Sequence, residues 1–142
     1  MAEIDTVRAL LTGRPRPVGW AERRARIEEV AAVDPPPEGV LFTPATIAGV
    51  PAEWSAAPDA DPRRVLLFLH GGGYCSGSIV SHRNRASRAG QAAGMRCLAL
   101  QYRLAPEHPF PAALEDAHAA YEALLAQGFA PADIAVGGDS AG

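Results

Sequence analysis

Apolar residues in the first part of the chain recur at helical spacing. Ile4, Val7 and Leu11 stand at positions i, i+3 and i+7, and Gly13 is a suitable helix stop. A second helix is predicted over residues 20–33, with apolar residues on one side and charged residues on the other. This pattern fits a pair of surface helices packed on a neighbouring element, and it fits equally a lid over an apolar pocket.

The proline-rich segment DPPPEG at residues 34–39 ends the helical pattern, because three successive prolines cannot continue a helix. We therefore divide the chain into an N-terminal helical accessory segment with its linker, residues 1–39, and a main domain, residues 40–142. Residues 40–47 and 51–56 are strand candidates joined around Gly49, which indicates a hairpin. Residues 57–62 are predicted as loop.

Beyond residue 64 the pattern changes to alternating strands and helices. Strands are predicted over residues 65–69, 97–100 and 134–136, and helices over 81–93 and 111–127. The strand at 65–69 is apolar without alternation, as expected when both faces of a sheet are covered. Strands joined by helices pair in parallel, so the fold class is α/β with flanking helices. The inward stripe of the last helix is predicted to be Phe110, Leu114, Ala117, Tyr121, Leu124 and Leu125.

Composition excludes several classes of function. The chain has 142 residues, is 48% hydrophobic and 20% charged, and carries a net charge of −3, as in globular domains and unlike nucleic-acid-binding ones. All its basic residues are arginines, which excludes a P-loop because that motif needs a lysine. Cys75 and Cys97 have no metal-ligand or redox spacing, and no apolar run is long enough to span a membrane. The N-terminus lacks a signal-peptide layout, so we expect a cytoplasmic protein.

Two glycine-rich turns follow predicted strands. Residues 138–142, GDSAG, match G-x-S-x-G, in which a strand turns sharply into a helix and exposes the serine, here Ser140. A side chain at Gly138 or Gly142 is expected to collide where strand and helix pass closely. Residues 70–74, HGGGY, follow the strand at 65–69, and their successive glycines leave backbone N–H groups open to an approaching oxygen. A dinucleotide-binding G-x-G-x-x-G is excluded, because Ser76 stands at the last glycine position.

The chain resembles the N-terminal half of an α/β-hydrolase of the hormone-sensitive-lipase branch, a family of carboxylic ester hydrolases. Four segments carry the resemblance in family order: GVPAEW at 49–54, HGGGY at 70–74, YRLAPEHPFPAA at 102–113 and GDSAG at 138–142. It covers the chain from residue 40, and the N-terminal helices resemble the family's cap. One departure is Gln101, where the family more often has an acidic residue.

The resemblance implies that Ser140 is the nucleophile and that Gly72, Gly73 and Ala141 donate the oxyanion hydrogen bonds. It implies a mostly parallel sheet, a small-molecule carboxylic ester as substrate, and no metal or cofactor. The triad of this fold runs in the order serine, acid, histidine. We therefore expect these 142 residues to stop short of the triad acid and histidine, and the isolated chain to be inactive.

The histidines present, His70, His82, His108 and His118, are expected to be structural or exposed, and Asp139 is expected to point away from the serine. An amide hydrolase remains open, because amides and esters use the same machinery. A non-catalytic ligand-binding or interaction module on a hydrolase-derived fold also remains open. The oligomeric state is not indicated.

Overall fold

The computed structural model describes residues 3–142, so the first two residues of the predicted cap segment lie outside the described residues. The elements in chain order are α1 (Glu3–Thr12), α2 (Trp20–Ala31), β1 (Leu41–Ile47), β2 (Val50–Ala56), β3 (Asp61–Leu69), α3 (Ile79–Ala93), β4 (Met95–Leu100), α4 (Ala112–Ala126) and β5 (Ile134–Gly138), with a short 3-10 turn at Pro131–Asp133. Every predicted helix and strand is present. None of the helices described over residues 3–142 is both long and apolar enough to cross a membrane.

The five strands form one sheet in the order β1-β2-β4-β3-β5. The pairs β1–β2 and β2–β4 are antiparallel, while β4–β3 and β3–β5 are parallel. Only β2 therefore runs against the other strands, which confirms the mostly parallel α/β sheet. The β1–β2 hairpin turns at Ala48 and Gly49, both with positive φ (49° and 79°). Such a two-residue turn matches the twist of paired strands.

Strand β3 begins earlier than the sequence predicts. Asp61 already pairs with Met95 of β4, and the register then shifts before Val65. The prediction of loop up to residue 62 is therefore wrong at its end. The early part of the strand carries exposed Arg63 and Arg64, so it lacks the apolar run that identifies a buried strand.

The two long helices of the main domain cover opposite faces of the sheet. Leu67 and Leu98 belong to a core cluster that includes Leu124 of α4. Phe68 packs with Ala86 of α3 in a second cluster. Neighbouring residues of β3 thus point to different helices, which explains its continuous apolar run.

The inward face of α4 differs from the predicted stripe. Phe110 and Leu114 are 86% and 62% exposed. The buried positions of this helix are Ala112, Asp116, Ala120 and Leu124, spaced four residues apart. The predicted stripe is confirmed at Leu124, which is buried, and at Ala117 and Tyr121, which pack against the core. It is wrong at Phe110 and Leu114, because it gave the most weight to large apolar residues and missed the buried alanines Ala112 and Ala120.

Local signals explain where α3 begins and ends. The Ser78 hydroxyl accepts a hydrogen bond from Ser81 N, and the Ser81 hydroxyl accepts one from Ser78 N, forming a capping box. Gln101 adds a partner, since its Oε1 accepts from Ile79 N at 2.9 Å. The helix ends at Gly94 in the left-handed conformation, φ 63°.

Candidate active site

Two loops meet because the strands that precede them are neighbours. Leu69, the last residue of β3, lies opposite Gly138, the last residue of β5. The strands are parallel, so the residues that follow them leave the sheet at the same edge. We call residues 70–74 the glycine loop and residues 138–142 the elbow. The structure thus brings together the two motifs that were predicted to carry the chemistry.

Ser140 lies exposed at the tip of the elbow, in a left-handed conformation with φ 53°. Gly142 N donates to Asp139 O at 2.8 Å and closes the turn around it. A left-handed conformation costs a residue with a side chain about 1–2 kcal/mol. Strain of this kind at the tip of a strand–turn motif is a feature of functional sites, where it fixes the direction of a side chain.

The elbow glycines stand where a side chain has no room. A Cβ atom at Gly138 would lie 2.6 Å from the carbonyl carbon of Gly142. A Cβ atom at Gly142 would lie 2.7 Å from Leu69 C and 3.0 Å from His70 C. These are backbone atoms that no side-chain rotation can move, so the predicted collision at both positions is confirmed.

Gly72 and Gly73 differ in their surroundings. Gly72 has φ 127°, and a Cβ atom there would lie 2.5 Å from Ser76 C and 3.0 Å from Gly77 N. Gly73 has φ 62°, and a Cβ atom there would meet no heavy atom within 4 Å. The loop folds back on itself at Gly72, where Ser76 Oγ donates to Gly72 O at 2.8 Å. Of these two glycines, only Gly72 is therefore required by close packing.

Asp139 ties the elbow to the glycine loop. Its Oδ1 accepts from Gly71 N at 3.0 Å. Its Oδ2 accepts from Arg85 Nη1 of α3 at 2.7 Å and lies 3.4 Å from His82 Nε2. The carboxylate is thus engaged on the α3 side, in keeping with the expectation that it points away from Ser140. Residue type alone gave no signal for this link, because the partners are 54 or more positions away.

The remaining histidines are distributed around the site. His70 is 2% exposed, its Nδ1–H donates to Gly71 O at 2.9 Å, and its ring stacks on Tyr102 at 4.2 Å. Burial lowers the pKa of His70, so the ring is neutral at pH 7. His108 lines the cavity described below, and His118 lies on the exposed side of α4. Among residues 3–142, no histidine is hydrogen-bonded to Ser140.

A cavity of about 390 Å³ opens beside the two loops. Gly73 contributes to its wall from the glycine loop, and Ala141 contributes from the elbow. The opposite wall is mostly apolar and comes from the loop and helix after β4: it includes Ala105, Phe110, Pro111, Ala113, Leu114 and Ala117. Phe110 and Leu114, which the sequence assigned to the core, thus face this cavity. An apolar cleft with a few polar groups is typical of a small-molecule site.

A buried carboxylate fixes the loop that forms this wall. Asp116 of α4 accepts from Arg103 N at 2.8 Å and from Arg103 Nε at 2.9 Å. The pKa of the Arg103 guanidinium is raised, mainly by its hydrogen bond to Asp116. This role of Asp116 was not predicted from the sequence; the available signal was its place in the four-residue spacing Ala112, Asp116, Ala120 and Leu124.

Comparison with known proteins agrees with this geometry. Residues 66–142, more than half of the chain, match the family described as having the alpha/beta hydrolase fold. The chain is 44% identical to an acetyl-hydrolase of Streptomyces hygroscopicus, over 99% of this chain and 47% of that protein. It is 38% identical to the putative acetyl-hydrolase LipR of Mycobacterium tuberculosis, over 97% of this chain and 46% of that protein. The crystal structure of an esterase from the bacterial hormone-sensitive lipase family superposes with a TM-score of 0.90 at 44% identity, covering 100% of this chain and 50% of that one.

The chain belongs to the α/β-hydrolase fold family. The resemblance to its hormone-sensitive-lipase branch is confirmed by the similarity to that esterase structure. The chain spans about half the length of the curated relatives it matches.

Proposed function

We propose that the protein carrying this chain is a serine carboxylic ester hydrolase, with Ser140 as nucleophile. One observation carries the proposal. A strained, exposed serine stands between two close-packed glycines, directly beside a glycine loop and an apolar cavity. The relatives named as acetyl-hydrolases and esterases support the same reading.

In the proposed reaction, Ser140 Oγ attacks the ester carbonyl carbon as its proton passes to a histidine. That histidine follows the serine in the chain order of this fold. The carbonyl oxygen takes up the electron pair and is stabilised by the N–H groups of Gly72, Gly73 and Ala141. The tetrahedral intermediate expels the alcohol, which takes the proton from the histidine. Water then attacks the carbonyl carbon of the acyl-serine and gives its proton to the histidine. The acid is released as its bond to Ser140 Oγ breaks, and Ser140 Oγ takes the proton back from the histidine.

The cavity supports a small substrate. Its volume of about 390 Å³ lies near the lower end for ligand pockets, and its wall is apolar. We propose short or medium acyl groups, bound against Leu114 and Phe110. We also propose that residues 1–39 form an accessory cap segment on a catalytic unit that begins at residue 40.

Cytoplasmic location is part of the proposal. Cys75 and Cys97 are both free thiols, as is usual in a reducing compartment. The net charge of −3 gives no electrostatic basis for nucleic-acid binding, so the partner proposed is a small carboxylic ester.

The test uses the complete protein. It should hydrolyse p-nitrophenyl butyrate and react with a fluorophosphonate at Ser140. Ser140→Ala should abolish both. Ser87→Ala is the control, because this buried serine donates to Asn84 O of its own helix, and it should leave both unchanged. Turnover of the p-nitroanilide at a rate equal to the ester would favour an amide hydrolase. Unaltered turnover by Ser140→Ala would refute the assignment.

A further inference from the structure

One arginine of the N-terminal helix α2 reaches two loops of the main domain. Arg24 Nε donates to Cys75 O at 2.8 Å, just beyond the glycine loop. Arg24 Nη2 donates to Ala105 O at 2.9 Å, in the loop after β4. The two carbonyls are 30 residues apart in sequence and are held by one planar group. A guanidinium presents its donors in a fixed fork, so it also fixes the distance between its partners.

A carboxylate holds the same guanidinium in place. Arg24 Nη1 and Nη2 donate to the two oxygens of Glu107 at 2.9 and 2.8 Å. The hydrogen bond from Arg24 is the main cause that lowers the pKa of Glu107 to about 2. The paired geometry orients the plane of the guanidinium, because two parallel hydrogen bonds resist its rotation. Glu107 therefore aims Arg24 at the two carbonyls.

The bonded residues are walls of the candidate site. Cys75 and Ala105 both line the cavity. The two loops are also joined directly, since Ala105 N donates to Tyr74 O at 2.8 Å. Cys75 N donates to Gly72 O at 3.3 Å, so a shift at Cys75 reaches the glycine loop.

A second side chain of α2 contacts the next segment of the chain. Ser78, the cap residue of α3, donates from Oγ to Glu28 Oε1 at 2.6 Å. Arg24 and Glu28 are four residues apart, so they lie on the same face of α2. Movement of α2 as a lid would break both sets of contacts. The sequence left brace and lid equally open, and these contacts favour the brace.

We propose that Arg24 is a positioning residue, which sets the separation of the glycine loop from the loop of residues 103–110 and so the width of the cavity. Its effect on catalysis rests on the proposed esterase function. Its effect on the two loops does not. The residue contacts no reacting atom, and it acts through the backbone at Cys75 and Ala105.

The test compares Arg24→Lys with Glu107→Gln in the complete protein. Lysine keeps the positive charge, but its three N–H donors radiate from a single nitrogen and do not form the planar fork by which three nitrogens of Arg24 reach both carbonyls and the carboxylate. Glutamine keeps one oxygen acceptor for the guanidinium but loses the second of the two parallel hydrogen bonds, while both carbonyls stay available. Hydrogen exchange of peptides spanning residues 70–78 and 103–110 is measured first. We expect faster exchange in both peptides for Arg24→Lys, and a smaller increase for Glu107→Gln.

Turnover is measured on p-nitrophenyl butyrate and octanoate. A small displacement of a site by a remote substitution can cost up to about 10²-fold in rate, so we expect kcat of Arg24→Lys to fall about tenfold. We also expect its butyrate-to-octanoate preference to change, with Glu107→Gln between Arg24→Lys and wild type. If Arg24→Lys leaves the exchange of both peptides and the preference unchanged, the proposal is overturned.

The exchange data separate the two proposals. If the wild-type protein hydrolyses no ester, the proposed function fails, and exchange in the two peptides still decides the role of Arg24. If Arg24→Lys does not fold, Glu107→Ala replaces it. Removal of this exposed carboxylate frees the guanidinium to rotate, so exchange must rise in both peptides, and unchanged exchange overturns the proposal.

Discussion

Substitution of Gly72 by alanine should disable the site, whereas the same change at Gly73 should be mild. The added Cβ at Gly72 would lie 2.5 Å from Ser76 C and 3.0 Å from Gly77 N, both of them backbone atoms. At φ 127° the residue also occupies a conformation that side chains rarely adopt. Backbone strain of this kind costs about 1–3 kcal/mol before the clash is counted. The loop must therefore move, and its N–H groups move with it.

Loss of one oxyanion donor typically lowers turnover by about 10²–10³-fold. The turnover of Gly72→Ala in the complete protein should therefore fall by that amount. At Gly73 the Cβ meets no heavy atom within 4 Å, and φ is 62°. The cost there is the left-handed strain alone, about 1–2 kcal/mol. The assay is kcat and KM on p-nitrophenyl butyrate, with a thermal melt for each variant.

A double variant tests whether the clash at Gly72 involves the Ser76 side chain or the backbone. Ser76→Gly removes the serine side chain but keeps the backbone atoms that the new Cβ meets. Gly72→Ala combined with Ser76→Gly should therefore recover no activity. If Gly72→Ala retains turnover within threefold of wild type, or if it loses no more than Gly73→Ala, the role assigned to Gly72 packing is wrong.

Three further predictions concern packing, thiol reactivity and the sheet edge. Leu124→Ala should lower the free energy of unfolding in urea by about 3 kcal/mol, whereas Leu114→Ala, at an exposed position, should change it by less than about 0.5 kcal/mol. Equal losses of stability would contradict the observed buried face of α4. Burial raises the pKa of Cys97 to about 12, so its reactive thiolate is scarce at pH 8. Iodoacetamide should therefore modify the partly exposed Cys75 first, and Cys97 only after unfolding. Labelling of both cysteines in the native protein would contradict this prediction. Strand β5 has no second neighbour within residues 3–142 and its Val136 is 59% exposed, so residues 1–142 expressed alone should self-associate through this edge. Val136→Lys should raise the fraction of monomer measured by light scattering. An unchanged monomer fraction would contradict this prediction.

The sequence predicts the edge of the sheet at which the two motifs emerge, but not that their strands are neighbours. Each follows a short apolar strand, and parallel strands end at the same edge of a sheet. Helices alternate with the strands in this part of the chain, which favours parallel pairing, so the glycine loop after β3 and the elbow after β5 emerge at the same edge of the sheet. They lie side by side because β3 and β5 are neighbours in the sheet, which only the structure shows. Glycines at positions 138 and 142 also indicated close approach, and the backbone distances confirm it.

The sequence indicated the buried face of α4 only in part. Alanine gives a weak hydrophobic signal, yet Ala112 and Ala120 are buried. Phe110 and Leu114 give a strong signal and lie at an open cavity. A cavity for an apolar ligand and a core select the same residue types, so composition cannot separate them. The position of the sheet relative to the helix is what distinguishes a core position from a cavity position.

The long-range polar contacts were also beyond prediction, because a charged residue in sequence is usually assigned to solvent. Arg24 meets Cys75 O across 51 positions and Glu107 across 83. No periodicity relates residues so far apart. Their pairing becomes visible only when the sheet has fixed the loops to which they bind.

The arrangement of the elbow explains how its strain can persist. An isolated turn with Ser140 at φ 53° would relax, since the left-handed conformation is unfavourable for serine. Here Asp139 holds Gly71 N by its side chain and Gly142 N by its carbonyl oxygen, at 3.0 and 2.8 Å. The elbow glycines let the turn lie directly on the end of β3, where a side chain would clash. Relaxing Ser140 would require breaking these contacts together, so the direction of the serine is set by the β3–β5 pairing rather than by the helices of the cap segment.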